Sequence, residues 1–161
     1  MNFIKIKSSI TFILIFSFSY FAPIISYAQS IHQTFDFGRQ LMHLNQPEKA
    51  IAAFQRVLFF GDEDFQQRVF PNIADCYFLL GDYSSAARYY YLAYFAAVTD
   101  SAKTGFTFKK IESLIREKSF LFAKVEILNL SEDLPPPLAK KKSLYEGIIY
   151  YGLGEYAASK E

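Results

Sequence analysis

The segment NIADCYFLLGDYSSAARYYYLA, residues 72–93, decides the fold of this chain. Two largely apolar stretches flank Gly81, and in each of them small and aromatic residues recur three and four positions apart. Residues at that spacing share one face of an α-helix. Glycine is also the residue that most easily ends a helix in the left-handed conformation. The segment therefore predicts two antiparallel helices joined by a tight turn.

The same pattern recurs along the chain at intervals of 36, 37 and 36 residues. Small side chains mark the second helix of each copy at Ala50, Ala86, Ala123 and Ser159. The positions twelve residues earlier, in the first helix of each copy, are Gly38, Ala74, Ile111 and Gly147. A fixed period of this length is typical of proteins built from stacked helical hairpins.

The spacing in the second copy resembles the tetratricopeptide repeat. That family places a small residue, an aromatic one three positions later, a second small residue nine beyond it and an aromatic one four further on, here Ala74, Tyr77, Ala86 and Tyr90. The resemblance covers residues 31–161. It implies an all-α fold, a right-handed α-solenoid of stacked antiparallel helix pairs with about three and a half repeats.

The repeats implied by this resemblance occupy residues 31–64, 67–100, 104–137 and 140–161. We expect the third repeat to be degenerate, because Ile111 replaces its small residue. The fourth repeat is expected to be truncated, since its second helix has barely begun at Glu161. We accordingly expect a shortened chain, an interrupted gene or the front part of a longer array.

Several element boundaries follow from single residues. Gly81 and Gly154 suit a helix-ending turn and Asn45 substitutes for them, whereas Lys118 does not, so the third turn is expected to be the least regular. Pro71 is predicted to start or to kink a helix. After it, the pair Asp100 and Ser101 is predicted to cap the first helix of the third copy.

A tyrosine cluster stands out in the helix predicted from Tyr83 to Val98, and it comprises Tyr89, Tyr90, Tyr91 and Tyr94. The cluster fits either a platform on which a ligand stacks or ordinary packing between repeats. Because this helix is apolar almost all round, we expect it to be covered on both sides and the tyrosines to serve packing.

The first 28 residues have the pattern of a signal peptide. Lys5 and Lys7 precede an apolar run from Ile10 to Ile25, and Ser26-Tyr27-Ala28 offers a small-x-small cleavage site. We predict cleavage after Ala28 and export to the periplasm or cell envelope. The alternative is an uncleaved anchor, since the run approaches the roughly 20 residues that span a bilayer. Only in that case would the chain contact a membrane.

Composition argues against several other functions. A net charge of +1 does not suit nucleic-acid binding, which needs a concentrated basic surface. His32 and His43 would lie about 16 Å apart along one helix, which is too far to chelate one metal. Cys76 is the only cysteine and is predicted to be a buried, inert thiol. We expect no enzyme activity, no cofactor, no metal site and no small-molecule substrate.

The family resemblance implies a concave groove, lined by the first helix of each pair, that binds a partner protein. Carried onto this sequence, the partner-binding residues are Phe35, Arg39, Met42, His43, Asp75, Phe78 and Leu79. The corresponding set in the third copy is Phe108, Glu112, Ile115 and Arg116. A mixed apolar and charged groove suits a helix or an extended peptide. We therefore expect a non-catalytic scaffold for protein–protein interaction.

Two other functions stay open. The chain could be the N-terminal docking part of a longer exported enzyme or envelope-assembly protein whose active portion lies beyond residue 161. It could also be a purely structural protein held at the membrane by an uncleaved segment from Ile10 to Ile25.

Overall fold

A computed structural model describes residues 30–155 of the chain. The predicted signal peptide and Ser159 lie outside the described residues. Within them the structure is all-helical, without strands. The helices are α1 (30–43), α2 (Pro47–Phe60), α3 (Glu63–Leu79), α4 (Tyr83–Ala96), α5 (Asp100–Arg116), α6 (Phe120–Leu128) and α7 (Pro136–Leu153). No helix among these combines the length and the apolar character that a bilayer span requires.

Helices that follow one another in sequence pack against each other from α2 to α7. The α5 helix also contacts α7, although α6 lies between them in sequence. This arrangement is consistent with an α-solenoid. For residues 30–155 the prediction of an all-α fold made of packed adjacent helices is confirmed.

Hydrophobic packing is divided into successive clusters along the stack. The first joins residues of the three leading helices, among them Phe35, Phe54 and Ile73. A small cluster of Ala74, Ala86 and Tyr90 lies between α3 and α4, and a third unites α5, α6 and α7. Each cluster involves only neighbouring helices, as expected for a fold in which every unit contacts only its neighbours.

Four turns of the structure share one backbone conformation. Their left-handed residues are Asn45, Gly81, Lys118 and Gly154, with φ of 54°, 78°, 64° and 76°. In each turn the next residue donates its N–H to the carbonyl five positions earlier, at 2.9 to 3.0 Å. This is the Schellman arrangement that satisfies the last carbonyls of a helix.

The four left-handed residues are separated by 36, 37 and 36 positions, which is the interval found in the sequence. The expectation that the third turn would be the least regular is therefore wrong. Lys118 adopts the left-handed conformation although it has a Cβ atom, and Ser119 N–H still bonds to Leu114 at 2.9 Å. The backbone hydrogen bonds of the turn outweigh the steric cost of that conformation.

Small residues allow the paired helices to cross closely. A Cβ atom added to Gly38 would lie 2.7 Å from the ring of Phe54, so only glycine fits there without rearrangement. Ala74 and Ala86 are both fully buried at the corresponding crossing. At the third crossing Ile111 is equally buried, so the larger side chain is accommodated inside the core.

Two helix starts differ from the predictions. The α3 helix begins at Glu63 and runs through Pro71, which is therefore not its first residue. Acidic residues at Glu63 and Asp64 favour that earlier start, because they complement the positive end of the helix dipole. At α5 the cap is Thr99, whose hydroxyl accepts the N–H of Ala102 at 3.2 Å.

Candidate functional site

Charged and polar side chains join three alternate helices, α3, α5 and α7, which are the first helices of successive predicted repeats. Lys109 Nζ donates to Asp75 Oδ1 at 2.7 Å, between α5 and α3. The Tyr145 hydroxyl donates to Glu112 Oε2 at 2.8 Å, and Lys141 Nζ lies 3.9 Å from the same oxygen, between α7 and α5. We refer to these five residues as the α3–α5–α7 strip.

The contacts within the strip follow the sequence period. Glu112 stands 37 positions after Asp75, and Tyr145 stands 36 positions after Lys109. In both cases a carboxylate on one first helix accepts a hydrogen bond from the next first helix. The same hydrogen-bonding arrangement therefore occurs at two successive junctions between first helices.

A second repeated contact places a cation over a phenylalanine ring. Arg68 of α3 lies 4.3 Å from the ring centroid of Phe35 in α1, and Lys141 of α7 lies 5.4 Å from that of Phe108 in α5. Phe35 and Phe108 stand 73 positions apart, and so do the two cations. A cation held over an aromatic ring is attracted to it electrostatically, so these contacts stabilise the packing of successive first helices.

Phe35 and Phe108 are core residues in the structure. Each side chain is no more than 3% exposed, and each packs against one aromatic ring of the next first helix, Phe65 for Phe35 and Tyr145 for Phe108. Both were predicted to face a partner, but the packing leaves them almost no surface for one. The physical reason is that the shared register position points between two first helices.

The other predicted residues divide by exposure. Met42, Asp75, Phe78, Glu112 and Ile115 are half-buried; Phe78 lies edge-on to the Tyr83 ring at 5.2 Å. The exposed members are Arg39, His43, Leu79 and Arg116. His43, Leu79 and Arg116 are the last residues of α1, α3 and α5, at intervals of 36 and 37.

Three members of the strip, Lys109, Lys141 and Tyr145, were not among the predicted partner-binding residues. Those predictions concerned one helix at a time, whereas the hydrogen bonds of the strip join residues 33 and 34 positions apart. The sequence does contain a signal for these contacts. A hydrogen-bond donor follows each predicted carboxylate by 33 or 34 positions, slightly less than the repeat length.

Burial and hydrogen bonding keep the buried tyrosines of this region protonated. Burial and then the hydrogen bond to Asp75 raise the pKa of Tyr90, whose hydroxyl donates to Asp75 Oδ1. Burial and then Glu112 raise the pKa of Tyr145 in the same way. Both tyrosines therefore act as permanent donors to the strip carboxylates.

The thiol of Cys76 is fully buried, which confirms the prediction for this residue. Burial, followed by the negative charges of Asp75 and Glu48, raises the pKa of Cys76 to about 12. A thiol is nucleophilic only as the thiolate. Cys76 therefore behaves as a small apolar residue.

A cleft of about 380 Å³ lies beside α4, α5 and α6, and its lining includes Tyr90, which donates to Asp75 of the strip. Lys110 crosses it, with Nζ 2.7 Å from Glu126 Oε1 and 4.7 Å from the ring centroid of Tyr91. Tyr94 also lines the cleft. Other lining residues include Lys103, Thr104, Phe106, Asn129 and Ser131.

The outer face of α4 is open to solvent. Tyr91, Tyr94 and Phe95 are exposed, and only Tyr90 of the tyrosine cluster is buried, with Tyr89 half-buried. The α4 helix packs against both α3 and α5, as predicted, but the expectation that both of its sides would be covered is not met at Tyr91, Tyr94 and Phe95. The Tyr91 and Tyr94 rings instead pack edge-on against the ring of Phe95, at centroid distances of 4.8 and 5.2 Å.

Between residues 30 and 155 no group of three or more histidine, cysteine, aspartate or glutamate side chains is arranged to hold a metal ion. No protein-family model, no curated protein and no solved structure matches this chain. The fold and the strip together define a helical stack with a polar, half-exposed line along its alternate helices.

Proposed function

We propose that this protein is a non-catalytic scaffold that binds a helix or an extended segment of another protein along the α3–α5–α7 strip. In this proposal the chain is a right-handed solenoid of tetratricopeptide-like repeats, about three and a half in number. The strip and the exposed ends of α1, α3 and α5 lie in its concave groove. The protein is exported and acts in the periplasm or cell envelope.

The observation that carries the proposal is that the strip is both ordered and accessible. Its four charged side chains keep 34 to 45% of their surface exposed while taking part in contacts between helices. Side chains held in place before binding lose little conformational entropy when a partner docks. Polar groups in this state are suited to fixing the register of a bound segment.

Apolar residues beside the strip supply the rest of a recognition surface. Leu79 is 61% exposed at the end of α3, and Phe78 beside it is half-buried. Arg116 is exposed at the equivalent place on α5. Alternating apolar and charged groups fit an amphipathic helix or an extended peptide, whose side chains alternate in the same way.

The proposed location rests on the pattern of residues 1–28. N-terminal sequencing of the protein recovered from cells tests it, with Gln29 expected as the first residue. A chain that still begins at Met1 and fractionates with membranes would support the anchor instead.

Affinity capture with matched variants tests the binding function. The full-length protein carrying Leu79→Asp and Arg116→Glu is expected to lose a partner that the unaltered protein retains. Arg88→Glu is the control, because Arg88 is exposed on a second helix, α4. Equal capture by all three proteins, with circular dichroism showing an intact fold, would contradict the proposed groove.

A further inference from the structure

The cleft beside α4, α5 and α6 has the size of a small-ligand site. Its volume of about 380 Å³ falls within the roughly 300 to 1,000 Å³ that is typical of such sites. Aromatic rings from two helices line it, Tyr91 and Tyr94 from α4 and Phe106 from α5. Lys110 lies over the Tyr91 ring, whereas Tyr94 is 37% exposed, so the Tyr94 ring is the more accessible surface for a ligand.

The charged side chains of the cleft are paired with one another. Lys110 Nζ lies 2.7 Å from Glu126 Oε1, and Lys103 Nζ lies 3.9 Å from Asp100 Oδ1. Among the described residues that line the cleft, these two pairs contain every charged side chain, so their formal charges cancel. A site of this kind favours a neutral ligand, because a phosphate or an ammonium group would have to compete with an existing ion pair.

Neutral polar groups line the same cleft. They are the amide of Asn129 and the hydroxyls of Ser131, Thr104 and Thr107. Ser131 Oγ accepts the N–H of Asp133 at 3.1 Å, which leaves its own O–H to donate to a ligand. Side-chain amides and hydroxyls can both donate and accept hydrogen bonds. The hydroxyl groups of a ligand need the same combination of partners.

A buried lysine holds the segment that carries Asn129 and Ser131. Lys142 of α7 is only 8% exposed, and its Nζ donates to Leu130 O at 3.5 Å and to Glu132 Oε1 at 2.7 Å. The Leu130 side chain is also buried, in the cluster that unites α5, α6 and α7. The segment is therefore fixed before a ligand binds, which lowers the entropy cost of binding.

We propose that this cleft binds a neutral saccharide. The C–H face of one sugar ring packs on Tyr94, because the negative face of an aromatic ring attracts hydrogens that carry partial positive charge. The sugar hydroxyls bond to Asn129, Ser131 and the Lys110–Glu126 pair, whose charges strengthen such hydrogen bonds. Tyr94 thus serves as the stacking platform that was one of the two interpretations of the tyrosine cluster.

The sequence did not predict this ligand, because α4 and the segment after α6 come together only in the folded chain. The inference is independent of the proposed partner groove, since no residue of the α3–α5–α7 strip lines the cleft.

Saturation-transfer NMR of the full-length protein tests the proposal, with cellobiose, maltose, lactose and N,N′-diacetylchitobiose as probes. At least one of these disaccharides is expected to bind saturably at millimolar concentration. Tyr94→Ala and Asn129→Ala should each weaken that binding at least tenfold. Phe122→Ala is the matched control and should leave it unchanged, because Phe122 is an exposed aromatic residue of α6 that does not line the cleft.

A charge substitution tests the selection of a neutral ligand. Glu126→Gln leaves Lys110 without its carboxylate, so this variant is expected to bind glucuronate at least tenfold more tightly than the unaltered protein does. The absence of saturable binding by every disaccharide would overturn the proposal. So would unchanged binding by Tyr94→Ala and Asn129→Ala, with circular dichroism showing intact folds. A neutral tyrosine-containing peptide that binds the cleft when no disaccharide does would also overturn it and make the cleft a peptide site.

Discussion

At the residue scale, Asp75 is a half-buried carboxylate with polar contacts to two other helices. It accepts hydrogen bonds from Tyr90 and Lys109, and its charge helps to raise the pKa of Cys76 next to it. One carboxylate thus links α3 to both following helices. Asp75 was predicted to face a partner. Its hydrogen bonds to α4 and α5 could not be predicted from the sequence of α3 alone.

Alkaline pH is expected to destabilise the fold through the residues around Asp75 and Glu112. Cys76, Tyr90 and Tyr145 have pKa values raised by burial above their usual 9 or 10. The unfolded chain therefore loses these protons at lower pH than the folded one, and stability falls as pH rises from about 9. Urea unfolding midpoints between pH 7 and 11 measure this fall.

The control for that prediction is a pair of hydroxyl deletions. Tyr90→Phe is expected to flatten the loss of stability between pH 9 and 11, while Tyr94→Phe, at an exposed site on the same helix, is not. Identical slopes for both variants and the unaltered protein would show that Tyr90 ionises equally in both states.

Overpacking a helix crossing is the second test at this scale. Ala86 is fully buried where α4 crosses α3, so Ala86→Leu is expected to cost about 1 to 3 kcal/mol of the free energy of unfolding. The exposed Ala52 of α2 provides the control, and Ala52→Leu is expected to change stability little. Chemical denaturation measures both, and a neutral Ala86→Leu would mean that the crossing is looser than the structure shows.

At the element scale, the four turns show how much of the fold local chemistry determines. Three of the four left-handed residues are glycine or asparagine and were predicted from their type alone. Lys118 could not be predicted, because its conformation is imposed by the helices on either side. The start of α3 is a local effect, because Glu63 and Asp64, eight and seven positions before Pro71, favour a helix that begins before the proline.

Exchanging residues at these turns is expected to have opposite effects. Lys118→Gly should stabilise the fold by about 1 kcal/mol, since glycine adopts a positive φ without steric cost. Gly81→Ala should destabilise it by about 1 kcal/mol, and no neighbouring atom contributes to that loss. Thermal unfolding measures the changes.

Glu117 provides the matched control for Lys118. It precedes Lys118 and has an ordinary right-handed conformation, with φ of −74°. Glu117→Gly should therefore be neutral or slightly destabilising. Stabilisation by Glu117→Gly and not by Lys118→Gly would contradict the turn assignment.

At the scale of the whole molecule, the sequence period predicted the order and pairing of the helices well. It predicted the site less well, because Phe35 and Phe108 share a register position that points into the core. Asp75 and Glu112 are half-buried on α3 and α5, and their hydrogen-bond donors come from the following first helix. Contacts between successive helix pairs depend on the angle by which each pair is rotated relative to the next. The repeat length in the sequence does not specify that angle.

The central claim is that the first helices, and not the second ones, form the partner-binding face. Site-specific photo-cross-linking in the cells that make the protein tests it most directly. The probes replace three exposed, register-related residues at the ends of first helices, His43, Leu79 and Arg116. The controls replace exposed residues of second helices, Gln55, Arg88 and Phe122. We predict one and the same adduct from all three probes and none from the controls, whereas adducts only from the controls, or equally from both sets, would contradict the claim.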